Sequence, residues 1–136
     1  MESKENNTTG ELVSVIMPSY NSSRFIAESI ESILRQTYTQ LELLITDDGS
    51  TDNTVEIIQA YIQKDSRIRL FTQKDNMGAG HARNHSIKEA RGRYIAFCDS
   101  DDTWLPHKLE KQLAFMKENG YCFCFSSYFV GDESGN

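Results

Sequence analysis

Short apolar runs and segments with a helical period alternate along the chain from residue 12 onward. Each apolar run is followed by a polar break, which is typical of a buried strand. The four clearest runs cover residues 13–17, 41–46, 68–71 and 94–98. After the first, second and fourth runs, apolar side chains recur every three or four residues, as on one face of an amphipathic helix. After the third run, a glycine-containing loop leads into a helix that Gly92 closes. Four helices are predicted. The first covers residues 23–36, and the second starts at a cap formed by Asp52 or Asn53. The third runs from Gly80 to Ala90, and the fourth starts at Pro106.

The order of these elements predicts the fold class. A fifth apolar run, residues 121–130, follows Gly120 and predicts another strand, whose direction the sequence leaves open. Strands that alternate with helices of this length favour a mostly parallel sheet, because parallel neighbours need long right-handed crossovers. We therefore predict an α/β, Rossmann-like fold with helices on both faces of the sheet.

Length and charge narrow the class of protein. A chain of 136 residues predicts one domain. Its 20 acidic and 14 basic residues give a formal charge of −6. A dedicated nucleic-acid binder would instead carry a basic stripe, so we predict no nucleic-acid partner.

Cysteine content and apolar run length indicate the compartment. Three cysteines, Cys98, Cys122 and Cys124, are too few for a disulfide framework, and we interpret them as reduced packing residues. This favours a cytoplasmic protein. Residues 1–10 are polar and lack the apolar core of a signal peptide. The apolar runs are also far shorter than the ~18 residues of a membrane helix, so no transmembrane segment is predicted.

Polar or small residues follow each of the first four strands. They are residues 18–21, 47–50, 76–80 and 99–102. Because the carboxyl ends of parallel strands meet at one edge, these four clusters are expected to converge there, where open α/β sheets bind ligands.

Three carboxylates stand within four residues in the last cluster: Asp99, Asp101 and Asp102. They repel one another unless a positive charge lies among them. Mg²⁺ and Mn²⁺ prefer oxygen ligands, and so few protein ligands leave positions open for substrate phosphates. The alternative is a solvated acidic turn before the next helix, since turns are rich in Asp.

Three further residues are candidates for binding a nucleotide. Asp48 ends a strand and is suited to accept hydrogen bonds from a base or a ribose, or else to cap a helix. Tyr20 follows a rigid Pro18 and is suited to stack on a nucleobase, or else to fill the core. Arg83, near the start of the third helix, is suited to pair with a phosphate, or else to remain a solvated charge.

The glycine loop at residues 78–83 is not a dinucleotide-binding fingerprint, because its last position is Arg83 and it follows the third strand. Its glycines still place a helix N-terminus at the ligand edge. The residues by themselves thus predict a metal-assisted site for a phosphorylated nucleotide ligand.

Four segments, taken together, resemble family 2 glycosyltransferases. They are residues 13–21 (VSVIMPSYN), 47–54 (DDGSTDNT), the Asn76-x-Gly78 loop with Ala82-Arg83-Asn84, and 99–102 (DSDD) with Trp104 and Pro106. They occur in the family's order and at similar spacing. The resemblance implies the GT-A fold and a nucleotide-diphosphate-sugar donor, with UDP as the expected nucleotide.

The resemblance also implies roles for particular residues. Pro18, Ser19 and Tyr20 are expected to form the nucleoside pocket. Asp48 is expected to contact the base, and Arg83 to lie near the base or the diphosphate. Asp101 and Asp102, with Asp99, match the family's D-x-D region, which holds the ribose and a divalent metal, Mn²⁺ or Mg²⁺.

The family reaction is inverting transfer of the sugar to a hydroxyl of a saccharide or lipid-linked acceptor, in polysaccharide or glycolipid synthesis. Such transfer needs a general base, which in this family is an acidic residue well beyond the D-x-D region. The sequence has only 34 residues after Asp102. We therefore expect no catalytic base in this chain, a base downstream of Asn136, and peripheral membrane association for the longer enzyme.

The expected organisation is a flexible tail over residues 1–11, a nucleotide-sugar-binding domain over 12–130 that forms the N-terminal part of a longer enzyme, and a polar end over 131–136. Two other functions remain open: a nucleotide-binding module without catalysis, and a metal-dependent nucleotidyltransferase. The second tends to have glycine and a basic residue directly after its first strand, and residues 18–23 contain neither Gly nor Lys.

Overall fold

The predicted strands form one parallel sheet in the computed structural model, which describes residues 11–120. Its strands and helices follow one another as β1 (Val13–Ser19), α1 (Ile26–Leu34), β2 (Leu41–Asp47), α2 (Thr54–Lys64), β3 (Ile68–Thr72), α3 (Ala79–Glu89), β4 (Tyr94–Phe97) and α4 (Lys108–Asn119). The spatial order is β3-β2-β1-β4, with every neighbouring pair parallel. The predicted α/β class with a parallel sheet is confirmed for these residues.

The predicted boundaries differ from the observed ones mainly at helix starts. The helix predicted from residue 23 begins at Ile26. The helix predicted to start at Pro106 begins at Lys108, because the Pro106 carbonyl accepts the backbone N–H of Thr37 at 2.9 Å. The fifth predicted strand (residues 121–130), the polar end (131–136) and residues 1–10 of the predicted tail lie outside the described residues.

The two faces of the sheet are covered by different helices. One face forms the main core, where alternate residues of β1 and β2 pack against α1, α2 and α4. The fully buried members of this core include Val15, Met17, Leu43, Ile45, Ile26, Ile30, Ile33 and Ile58. The opposite face is covered by α3, whose Ser86 hydroxyl lies 2.6 Å from that of Thr46 on β2. The two central strands, β1 and β2, are buried on both faces, as expected in a parallel sheet covered by helices, whereas β3 and β4 at the sides are only partly buried.

A buried polar cluster closes the amino end of the sheet, opposite the predicted ligand edge. The Glu42 carboxylate accepts hydrogen bonds from the Ser14 hydroxyl at 2.6 Å and the Arg91 backbone N–H at 2.7 Å. The guanidinium of Arg69 lies 3.3 Å from the other carboxylate oxygen. Gly92 packs so tightly here that a Cβ would lie 2.6 Å from the Ser14 hydroxyl oxygen. This end of the sheet is therefore structural.

Among residues 11–120, no helix combines the length and the apolar character needed to cross a membrane.

Candidate functional site

The loops that follow the strands meet in one cleft at the carboxyl edge of the sheet. The cleft has a volume of about 380 Å³. Its lining residues are Pro18, Ser19, Tyr20, Asn21, Ser22, Phe25, Asp48, Ala79, Ala82, Arg83, Asp99, Ser100 and Asp101. Every residue predicted from the sequence to form the site is in this set except Asp102, which adjoins Asp101. The structure thus brings together residues that lie up to 83 positions apart in the chain, from Pro18 to Asp101.

Asp48 is buried at the floor of the cleft. Its two carboxylate oxygens accept the backbone N–H groups of Met77 and Gly78, each at 2.7 Å. Gly78 has φ +96°, a conformation that glycine adopts readily. Asp48 therefore fixes the start of α3 at the cleft rather than capping α2. Each carboxylate oxygen can accept a further hydrogen bond, which leaves Asp48 able to bind a ligand.

The neighbouring Asp47 has a structural task that the sequence analysis missed. It is buried and accepts hydrogen bonds from the Ser19 hydroxyl at 3.0 Å and the Ser50 backbone N–H at 2.9 Å. The carboxylate thereby joins the end of β1 to the turn after β2. In the sequence, the one available sign of this task is that Asp47 and Asp48 are adjacent, so that their side chains are expected to have different roles.

Asn21 was also missed and orders the cleft entrance. It has φ +46°, in the left-handed region that Asn tolerates better than most residues. Its side-chain oxygen accepts the Thr51 backbone N–H at 2.8 Å, and its own N–H donates to the Ser50 hydroxyl at the same distance. The loops after β1 and β2 are therefore held together as one unit.

The start of α2 is closed by Asp52, one of the two predicted caps. Its carboxylate accepts the Thr54 backbone N–H at 3.0 Å and the Ser23 N–H at 3.2 Å, whereas Asn53 makes no side-chain capping bond. Desolvation by the surrounding loop acts to raise the pKa of Asp52, but the hydrogen bonds from Thr54 and Ser23 outweigh it and lower the pKa to about 2. The charged Asp52 carboxylate thus holds the loop at the start of α2.

The three acids after β4 form a compact group. One carboxylate oxygen from each of Asp99, Asp101 and Asp102 lies within 4.8 Å of the others, and all three residues are exposed. Partial burial, followed by the charges of Asp101 and Asp99, raises the pKa of the Asp102 carboxyl. A donor set made only of oxygens, with excess negative charge, fits a hard divalent cation. These three residues could therefore hold one.

Arg83 forms an ion pair with one member of this acidic group. Its Nη2 lies 3.1 Å from Oδ1 of Asp99, and 38% of its side chain remains exposed. It lies one turn into α3, whose N-terminus carries a partial positive charge. The cleft thus brings a guanidinium next to three carboxylates, an arrangement suited to a diphosphate that is also bound to a metal ion.

Two aromatic rings line the cleft mouth. Tyr20 is 46% exposed and Phe25 is 38% exposed, so neither belongs to the hydrophobic core. The ring of Tyr20 is therefore accessible at the cleft, and its stacking on a nucleobase stays a prediction. Phe25 was not identified from the sequence, where it reads as an ordinary apolar residue at the start of a helix.

Comparison with known proteins gives a family match over most of the chain. Residues 14–136 match the family described as "Glycosyl transferase family 2". Among curated proteins, the chain is 49% identical over 119 residues to the Escherichia coli UDP-Glc:alpha-D-GlcNAc-diphosphoundecaprenol beta-1,3-glucosyltransferase WfgD, a match that covers 88% of this chain and 46% of that protein. The chain spans about half the length of the first curated relatives that it matches.

Solved structures of two glycosyltransferases share the fold. The S. aureus TarS 1–349 complex with UDP superposes with a TM-score of 0.74 at 35% identity, over 79% of this chain and 32% of that one. The mannosyltransferase PcManGT from Pyrobaculum calidifontis, in complex with GDP-Man and Mn²⁺, gives a TM-score of 0.72 at 27% identity, over 76% of this chain and 32% of that one. The predicted GT-A fold is confirmed by these similarities.

Proposed function

The chain belongs to glycosyl transferase family 2, and from this premise we propose that it binds the nucleotide-diphosphate-sugar donor of an inverting glycosyltransferase. The observation that carries the proposal is the cleft in which the four motif loops meet, with Arg83 and the acidic group side by side in its lining. UDP is the nucleotide we favour, since TarS is solved with UDP and WfgD is named for UDP-Glc.

We assign the residues as follows. Pro18, Ser19 and Tyr20 form the wall of the nucleoside pocket, and Tyr20 offers an exposed ring for stacking. Asp48 accepts a hydrogen bond from the base through the acceptor capacity that the Met77 and Gly78 N–H groups leave. The buried position of Asp48 makes this recognition rigid, because its carboxylate is already held in place.

Arg83 and the three acids bind the diphosphate end of the donor in this proposal. We propose that Arg83 pairs with a phosphate oxygen and that Asp101 also contacts the ribose. Asp99, Asp101 and Asp102 hold Mn²⁺ or Mg²⁺, a choice supported by their oxygen donors and by the Mn²⁺ of the PcManGT complex. The cation, when bound, neutralises negative charge that develops on the leaving diphosphate.

In the proposed reaction, the acceptor hydroxyl oxygen attacks the anomeric carbon. The bond from that carbon to the diphosphate oxygen breaks, and its electron pair leaves with the nucleoside diphosphate. The hydroxyl proton passes to a general base. Arg83 orients the leaving group and stabilises its charge.

The general base is the part of the reaction that this chain is proposed not to supply. We propose that it lies in sequence following Asn136, in agreement with relatives about twice as long as this chain. We propose a saccharide or lipid-linked acceptor for the whole enzyme, because WfgD is named for a diphosphoundecaprenol acceptor. Peripheral membrane association, a cytoplasmic location and the domain limits at residues 12 and 130 stay predictions.

Calorimetry with the 136-residue chain tests the donor site. We expect UDP and a UDP-sugar to bind with Mn²⁺ present and to bind more weakly in EDTA. Asp102→Asn, which removes one charge from the acidic group, is expected to reduce the effect of Mn²⁺ by about 10–100-fold in affinity. Glu118→Gln on α4 removes an equal charge outside the cleft and serves as the matched control.

Two results would contradict the proposal. The first is the absence of binding to every nucleoside diphosphate tested. The second is equal binding with Mn²⁺ and with EDTA, which would remove the metal from the assignment. Transfer of sugar to an acceptor by this chain alone would contradict the placement of the base, while a full-length enzyme without transfer would favour a non-catalytic binding module.

A further inference from the structure

The acidic loop, residues 99–105, is held in place by one face of α1. Three of its backbone groups are bonded to side chains of the α1 region. The Ser29 hydroxyl donates to the Ser100 carbonyl at 2.9 Å. The Trp104 N–H donates to the Ser32 hydroxyl at 3.1 Å, and Gln36 Nε2 donates to the Leu105 carbonyl at 2.7 Å. The loop therefore takes its shape from a helix more than 60 residues earlier in the chain.

These three side chains form a buried polar stripe. Ser29 is 0% exposed, and Ser32 and Gln36 are each 3% exposed. A spacing of three residues places Ser29 and Ser32 on the same side of α1, and Gln36 follows just after the helix ends at Leu34. The cleft lining does not include any of them. Their hydrogen bonds therefore act on the loop and not on a bound ligand.

Ser100 stands at the centre of this arrangement and lies between two of the three acids. Its carbonyl is held by Ser29, and its hydroxyl lies 2.6 Å from that of Ser22. Ser22 is fixed in turn, because its N–H donates to the Thr54 hydroxyl oxygen at 2.9 Å. Through Ser100, the acidic loop is thus attached both to Ser29 on α1 and to Ser22.

Fixing Ser100 matters because the acids on either side of it repel one another. Their ligand oxygens lie within 4.8 Å of each other, and an unrestrained loop would relax by moving them apart. A loop that already has its bound shape loses less conformational entropy when a ligand arrives. The buried bonds to Ser100 supply that restraint.

We propose that Ser29 is a positioning residue for the divalent cation: by holding the Ser100 carbonyl it keeps the carboxylates of Asp99, Asp101 and Asp102 gathered before the cation binds. This inference rests on the proposed donor and metal site. Ser32 also restrains the loop, at its far end, where its hydroxyl oxygen accepts the Trp104 backbone N–H.

Calorimetry of UDP binding with and without Mn²⁺ tests this role. Ser29→Ala is expected to lower the affinity for UDP in the presence of Mn²⁺ by about tenfold, as for other groups that orient metal ligands. Its affinity for UDP in EDTA is expected to equal that of the wild type. Ser29→Thr keeps the hydroxyl and is expected to restore the Mn²⁺-dependent affinity.

Ser86→Ala is the matched control for the loss of a buried serine. Ser86 is also 0% exposed and hydrogen-bonded, but it lies on α3 against the opposite face of the sheet. It is expected to lower the melting temperature without changing the Mn²⁺-dependent affinity. If Ser29→Ala does not fold, Ser32→Ala replaces it, with a loss in the same direction expected.

The outcomes separate this inference from the proposed function. If the wild type gains affinity with Mn²⁺ and Ser29→Ala gains just as much, Ser29 is only structural and the inference is wrong. An equal loss of Mn²⁺-dependent affinity in Ser86→Ala would overturn it too. If the wild type itself gains nothing from Mn²⁺, the proposed metal site fails and the role of Ser29 fails with it.

Discussion

Asp47 and Asp48 are adjacent in the sequence and both are buried, yet at the scale of the residue their carboxylates hold different parts of the molecule. Asp47 joins β1 to the turn at Ser50, while Asp48 holds the loop before α3. Asp47 is the last residue of β2, whereas Asp48 is the first residue of the loop that follows. The sequence indicates that both acids belong to the ligand edge, but only the fold shows which one faces the cleft.

Gly92 gives a prediction at the same scale. A Cβ there would lie 2.6 Å from the Ser14 hydroxyl oxygen and 2.7 Å from the Leu12 carbonyl oxygen. Since the backbone atoms are held by the sheet, we expect Gly92→Ala to lower the free energy of unfolding by about 1–3 kcal/mol. Urea denaturation followed by circular dichroism measures the change.

Gly80→Ala is the control for that substitution. A Cβ at Gly80 meets no atom within 4 Å, and the residue lies in α3, where alanine is favoured over glycine. We expect unchanged or slightly higher stability, by up to about 1 kcal/mol. Wild-type stability in Gly92→Ala would show that the strand can move away from the added methyl group.

At the scale of the element, α1 shows what a periodic pattern conveys and what it omits. Its apolar residues Ile26, Ile30 and Ile33 are buried as their spacing predicts. The polar residues Ser29 and Ser32 are equally buried, against the acidic loop. A pattern of polarity predicts the face that meets the sheet, but it cannot distinguish a polar face in water from one that packs against a hydrogen-bonded loop.

The start of α2 gives a pH-dependent prediction. Asp52 has a pKa lowered from 3.8 to about 2, so its charged form favours the folded state. The stabilisation is fully present above pH 3.8 and is lost as the pH falls through about 2. We expect the wild type to be more stable than Asp52→Asn near neutral pH, and the difference to shrink over this range.

Chemical denaturation of both proteins at several pH values measures that difference. Because Asp52 is largely exposed to solvent, the effect is expected to be modest. A difference that stays constant down to about pH 2 would show that the carboxylate charge does not contribute to the cap.

At the scale of the whole molecule, the sequence predicted the alternation of elements, the parallel sheet and the edge where polar loops meet. These follow from chain connectivity, since parallel strands place all their carboxyl ends together. The sequence did not predict the restraints on that edge, such as the hydrogen bonds from α1 to the acidic loop or those between Asn21 and the turn at Ser50. Those depend on which loops become neighbours, and the order β3-β2-β1-β4 is a property of the folded sheet.

Ligand binding at that edge is expected to stabilise the whole sheet. The proposed complex with UDP and Mn²⁺ requires the folded chain, so at a hundred times its dissociation constant it should add about 2.7 kcal/mol to the free energy of unfolding. We expect the melting temperature to rise with UDP and Mn²⁺ and to return most of the way when EDTA is added. The same melting temperature with and without UDP and Mn²⁺ would contradict donor binding in the cleft.

The pairing of β1 with β4 also determines when the cleft comes into existence. Val13 lies beside Tyr94 in the sheet, so the two strands that flank the cleft are joined only after about 80 intervening residues have been made. β1, β2 and β3 can associate earlier, through shorter crossovers. During synthesis on the ribosome, an N-terminal segment with a partly formed sheet therefore has no complete pocket. Among the four described strands, the cleft is therefore complete only once β4 has paired with β1.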